Sequence, residues 1–121
     1  MKRIIFATGN KAKIEDAVTA LSELGIEVVG QKIDFEERQS LSQEDIVRHK
    51  ARQAYQKLKL PLVVDDTAFF IDSYPQFPGT LTKHVNATLG LSGLTKLFDE
   101  GQTAFFKTLL CFIDVEHEVV A

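Results

Sequence analysis

Ile4-Ile5-Phe6-Ala7-Thr8-Gly9-Asn10-Lys11-Ala12-Lys13 sets four consecutive apolar residues against a small polar turn and then a cationic segment. An unbroken apolar run of that length, bounded by turn residues, is the pattern of a strand buried on both faces. Asn10 is suited to cap the helix that follows, in which Ile14, Ala17, Val18, Leu21 and Leu24 recur at near-helical spacing until Gly25 stops it. Residues 26–29 read as a second short strand, and residues 31–41, with little periodicity, as a loop or irregular edge. Ser42 followed by Asp45 is a capping-box pattern, and Ile46, Val47, Ala51, Ala54, Tyr55 and Leu58 then form a helical stripe. After Pro61, Leu62-Val63-Val64 is another buried strand that is expected to deliver Asp65-Asp66-Thr67 at its carboxyl end. Strand, helix, strand, helix, strand is the alternation of an α/β fold, in which ligands gather at the carboxyl ends of strands.

Further along, residues 74–79 read as a loop, and residues 81–89 and 92–98 as short helices separated by Gly90. Residues 103–115 form the longest β-like run, and Glu116-His117-Glu118 reads as a hairpin turn returning into Val119-Val120-Ala121. An apolar strand with no polar terminus predicts a chain shortened relative to its natural fold. The length of 121 residues, with 45% apolar and 26% charged, predicts one folded domain. Fourteen basic against 17 acidic residues, net −3, provide no broad positive field for a nucleic-acid backbone, so no nucleic-acid partner is expected. The single Cys111 lies in an apolar run and has no intrachain partner, which fits a reducing cytoplasm. Met1-Lys2-Arg3 begins like a signal peptide, but the apolar stretch behind it is too short, and neither an export signal nor a membrane span is expected.

Residues 8–13 place small side chains, backbone amides and two lysines at a helix amino terminus, a physical recipe for binding phosphate. They match neither the P-loop nor the dinucleotide fingerprint, and the plain alternative is a helix cap with solvated lysines. The adjacent acids Asp65 and Asp66 repel each other and lose solvation unless a cation or protons compensate. Magnesium is the natural remedy, because it takes few protein carboxylates and keeps room for water and phosphates; the plain alternative is a strand-end turn capped by Asp66. Glu37 could complete such a site. Lys50 projects beside the apolar stripe and must either snorkel to solvent or meet an anion. Lys83, taken alone, reads as a surface lysine. His49, His84 and His117 sit in separate elements with no ligand spacing, and no nucleophilic triad signature is present.

Thr8-Gly9-Asn10 with Lys13, Gln31-Lys32-Ile33-Asp34 leading to Glu37-Arg38-Gln39, Val64-Asp65-Asp66-Thr67, and Phe77-Pro78-Gly79 with Lys83 together resemble the inosine triphosphate pyrophosphatase, or Ham1, family. The motifs occur in register over nearly the whole chain. The resemblance implies an α/β fold with a mixed twisted sheet flanked by helices. Residues 1–121 would form a single domain, the N-terminal portion of that fold without its C-terminal part. It also implies magnesium-dependent hydrolysis of deaminated purine nucleoside triphosphates (ITP, dITP, XTP) to monophosphate and pyrophosphate. On this basis Thr8, Gly9, Asn10, Lys13, Lys50, Thr67 and Lys83 bind substrate. Glu37 and Asp66 hold Mg2+, and Asp66 or Asp65 is the proton acceptor. A homodimer without membrane or nucleic-acid partners is the implied assembly. The family's aromatic, Gly-rich base-binding loop and late Ser-His-Arg element do not occur, so weak discrimination of bases is expected. A nucleotide-binding or dimerising remnant, or a related pyrophosphatase for another base, are the alternatives.

Overall fold

The computed structural model describes residues 2–97 and 100–121. Strand β1 (Lys2–Phe6) leads through the Thr8-Gly9-Asn10 turn into helix α1 (Lys11–Ser22). Asn10 caps that helix by accepting from the Lys13 amide at 3.2 Å. Strand β2 (Ile26–Gly30) follows, then an irregular segment, then helix α2 (Gln43–Leu58), whose first turn is capped by the Ser42 hydroxyl accepting from the Asp45 amide. Strand β3 (Leu62–Ile71) is ten residues long, and strand β4 is the short pair Pro78–Gly79. Helices α3 (Thr82–Thr88) and α4 (Gly90–Thr95) precede strands β5 (Ala104–Ile113) and β6 (Glu118–Val120). The expected helix over 92–98 begins instead at Gly90, and Phe98 lies outside the described residues.

The sheet order is β2-β1-β3-β5-β6, with β4 on β3. β1 runs parallel to both β2 and β3, whereas β3, β5 and β6 are joined antiparallel. The mixed sheet flanked by helices is therefore the α/β fold anticipated. Because β1 stands between its two successors, the connections diverge at its carboxyl end, the switch point where open α/β sheets take ligands. Right-handed connections place α1 and α2 on opposite faces of such a sheet.

One expectation is corrected. The acid pair lies in the middle of β3 rather than at its end, since β5 pairs with β3 along the full register from Leu62↔Ile113 to Ile71↔Ala104. The position is nevertheless open. β1 pairs with β3 only at Leu62 and Val63, and β4 pairs with it at Phe69 and Phe70. Both strands use the edge opposite β5, and they leave a gap beside Asp65, Asp66 and Thr67.

The main core joins Val47, Ala51 and Ala54 of α2 to Ile5, Ala7, Leu62, Val64, Cys111 and Ile113 of the sheet. These helix residues are fully buried, and burying such side chains contributes roughly 25 cal/mol per Å² of apolar area removed from water. No residue of α1 is buried, so the apolar stripe read there packs on β2 with Val18 and Leu24 still open to solvent. A smaller cluster of Ile71, Val85 and Leu94, backed by Phe69, Phe77 and Leu97, holds α3 and α4 against the far end of β3. Among the described residues no helix is long and apolar enough to cross a membrane.

Candidate active site

A cleft of about 1010 Å³ opens at the gap beside β3 and is bounded by the turn after β1, the irregular segment 31–41, α2 and the start of α3. Thr8, Gly9, Lys13, Glu37, Lys50, Asp65, Asp66, Thr67 and Lys83 all line it. Asn10 does not; its carboxamide serves as the α1 cap, and its amide donates to the Thr8 hydroxyl at 3.1 Å.

Local chemistry explains how each group arrives there. A Cβ on Gly9 would stand 3.3 Å from Cγ of Lys32, so the missing side chain lets the Lys32 stem lie across the turn. Gly79 is more demanding. Its φ of +51° suits glycine, and a Cβ would come 2.5 Å from the Gln76 carbonyl oxygen. The chain can thus turn tightly after the cis Phe77–Pro78 bond, and the Thr82 hydroxyl ties the turn down by donating to Gly79 O at 2.6 Å and accepting from the Phe69 amide at 3.0 Å. Lys83 is carried to the cleft rim by this arrangement.

Three lysines meet three carboxylates around the cleft. Lys13 is paired with Asp65, which is 9% exposed. The Lys50 ammonium does not snorkel away: it stands 3.5 Å from Asp66 Oδ1 and 3.4 Å from the Asp65 carbonyl, above the Phe35 ring. Lys83 donates to Glu37 Oε1 at 2.9 Å, and His84 Nε2 lies 3.8 Å from the other oxygen. The hydrogen bond and charge of Lys83 hold Glu37 below the usual carboxylate range. Thr67 and Thr108 share a hydroxyl hydrogen bond of 2.8 Å beside the acids.

Among the described residues no three His, Cys, Asp and Glu side chains gather into a preformed metal cluster. The donors do fit magnesium in kind. Glu37 and Asp66 offer hard oxygen ligands to one cleft, and this ion normally combines one or two carboxylates with water and substrate phosphates.

Two positioning residues escaped the sequence reading. Gln43 is buried at the first position of α2, and its amide donates to Asp66 O at 3.0 Å and Lys107 O at 2.8 Å, tying β3 to β5 beside the acids. Gln53 fixes the irregular segment by accepting from the Glu36 amide at 2.7 Å and donating to the Glu36 carbonyl at 2.9 Å. Neither glutamine breaks the helical pattern of α2, so periodicity gave no sign of them; only the i, i+4 spacing of His49 and Gln53 hinted at a pair.

The Ham1 family model matches residues 4–121. The dITP/XTP pyrophosphatase of Methanosarcina acetivorans is 35% identical over 116 residues, covering 94% of this chain and 63% of that protein. The protein of the same description from Methanosarcina mazei is 32% identical over 120 residues, covering 98% and 65%. The chain thus spans a little under two thirds of the length of these relatives. Among solved structures, a nucleoside-triphosphatase / dITP/XTP pyrophosphatase from Mycobacterium abscessus superposes with a TM-score of 0.76 at 25% identity, covering 98% of this chain and 68% of that one. A HAM1 protein from Coxiella burnetii gives 0.80 at 21% identity, covering 99% and 68%, and shares the fold. With the motifs, the sheet order and the family match in agreement, the chain belongs to the Ham1 family.

Proposed function

We propose that the chain hydrolyses deaminated purine nucleoside triphosphates such as ITP, dITP and XTP to the monophosphate and pyrophosphate, with magnesium as cofactor. The observation that carries this reading is the ring of three lysine–carboxylate pairs, Lys13–Asp65, Lys50–Asp66 and Lys83–Glu37, around one cleft. Each lysine can exchange its carboxylate for a phosphate oxygen, and a carboxylate so released can take a metal. Phosphoryl transfer depends on such placement and charge neutralisation. The substrate class follows the names of the relatives and the family resemblance.

On this reading Thr8, Gly9 and Lys13 hold phosphate oxygens, helped by the positive dipole end of α1. Glu37 and Asp66 hold the ion, which when bound neutralises phosphate charge and makes water more acidic. Lys50 and Lys83 offset charge on the phosphates, and Thr67 contacts substrate. Asp66 accepts the proton of the attacking water as an oxygen–phosphorus bond forms at the α-phosphorus. The bond to the bridging oxygen breaks, and its electron pair leaves with pyrophosphate. Asp65, buried against Lys13, fixes that lysine. Asp66→Asn keeps the size of the side chain and removes its basicity. Pyrophosphate release from ITP in magnesium should then fall by about a hundredfold or more, with unfolding still cooperative. Near-normal turnover by the variant would contradict the role given to Asp66.

A further inference from the structure

His49 lines the cleft one residue before Lys50, and its Nδ1 lies 2.9 Å from Gln53 Nε2. Which end of the Gln53 amide faces the histidine follows from the backbone rather than from the ring. The Glu36 amide must donate and the Glu36 carbonyl must accept, so the two bonds to Glu36 assign Oε1 to the first and the NH2 group to the second. The NH2 group is therefore also the atom set that meets His49, and Nδ1 must be the acceptor. A neutral imidazole that accepts at Nδ1 carries its proton at Nε2. Adding a second proton would set two donors against each other and break the contact. His49 is thus held by an i, i+4 bond to Gln53, itself anchored to the segment that also carries Glu37, as a ring of fixed tautomer.

We infer that His49 is a substrate-contacting residue that presents a fixed Nε2–H donor to an oxygen acceptor of the bound nucleotide. The inference rests on the nucleotide reading of the cleft. Two oxygens have the required chemistry: a phosphoryl oxygen, and the 6-oxo group that replaces the adenine amino donor in a deaminated purine. A donor whose tautomer cannot switch suits either of them and cannot satisfy an amino group. Lys50 occupies the adjacent helix position but turns to the acid pair, so the two side chains address different parts of one ligand.

The test compares magnesium-dependent binding of ITP, ATP and inorganic tripolyphosphate by calorimetry to the unsubstituted chain, His49→Ala, His49→Asn and Gln53→Leu. Nitrogen chemical shifts of the His49 ring report the tautomer. His49→Ala should weaken binding by roughly tenfold, the equivalent of about 1.4 kcal/mol. His49→Asn, which retains a donor, should recover part of the loss, and Gln53→Leu should relax the tautomer and weaken binding with His49 still present. Equal losses for all three ligands identify the phosphoryl oxygen; a loss confined to ITP identifies the 6-oxo group. Unchanged affinities in His49→Ala, or a ring protonated at Nδ1 in the unsubstituted chain, overturn the inference while leaving the nucleotide reading intact. Absence of binding by the unsubstituted chain to any of the three overturns both.

Discussion

Side chains alternate across a strand, so the neighbours Asp65 and Asp66 leave β3 on opposite sides. Asp65 meets Lys13 of α1 and is nearly inaccessible, whereas Asp66 faces Lys50 of α2 and keeps part of its carboxylate open. Sequence could not choose between two adjacent acids of the same type, but burial and partner separate them. Lys50 answers to the same geometry. Its carbon stem follows the helix face and its charge turns to Asp66 and the Asp65 carbonyl. Lys50→Met preserves the stem and removes the charge. Triphosphate affinity in magnesium should drop by about tenfold, while stability changes by no more than about 1 kcal/mol, as for a partly exposed ion pair. Equal affinity in the calorimeter would mean that Lys50 serves Asp66 alone.

At the scale of elements, β6 is three residues long and is held to β5 by pairing and to α2 by charge. Glu118 accepts from Arg52 at 2.6 and 2.8 Å and from Arg48 at 2.7 Å. Those bonds, Arg52's first, hold the Glu118 carboxyl below its usual range. A carboxylate depressed in the folded state stabilises fully above its unfolded value, and the contribution is lost as pH falls through the lower folded value. Glu118→Gln should therefore lower stability at neutral pH by about 1–3 kcal/mol, and the difference should shrink as denaturation is measured at increasingly acid pH. A difference independent of pH would remove the charge from the explanation. The elements themselves were largely legible: caps at Asn10 and Ser42 and the apolar stripe of α2 are local signals, and all are realised. The ten-residue span of β3 was not, because Asp65-Asp66-Thr67 looks like a strand end. What continues the strand is the distant β5, whose pairing no local pattern reports. For the same reason the roles of Gln43 and Gln53 became visible only after chain segments far apart in sequence had met.

Across the whole molecule, the cleft exists because β1 and β4 share one edge of β3 without meeting. The gap opens beside the acid pair, the switch point at β1 contributes the Thr8-Gly9 turn, and the Pro78–Gly79 pair brings Lys83 over Glu37. Each site residue named from the sequence except Asn10 lines this opening. Register of short motifs along the chain made the set recognisable, while the ion pairing that balances it depends on folding. Beyond the cleft, Phe105, Phe106 and Leu110 of β5 remain exposed, with Phe105 stacked on Phe70 at 5.2 Å. The most direct test of the central claim is to identify the products formed from ITP. With magnesium present, the account predicts IMP and pyrophosphate in equal amounts, and no reaction once the metal is chelated. IDP with orthophosphate, or product formation unaffected by chelation, would contradict it.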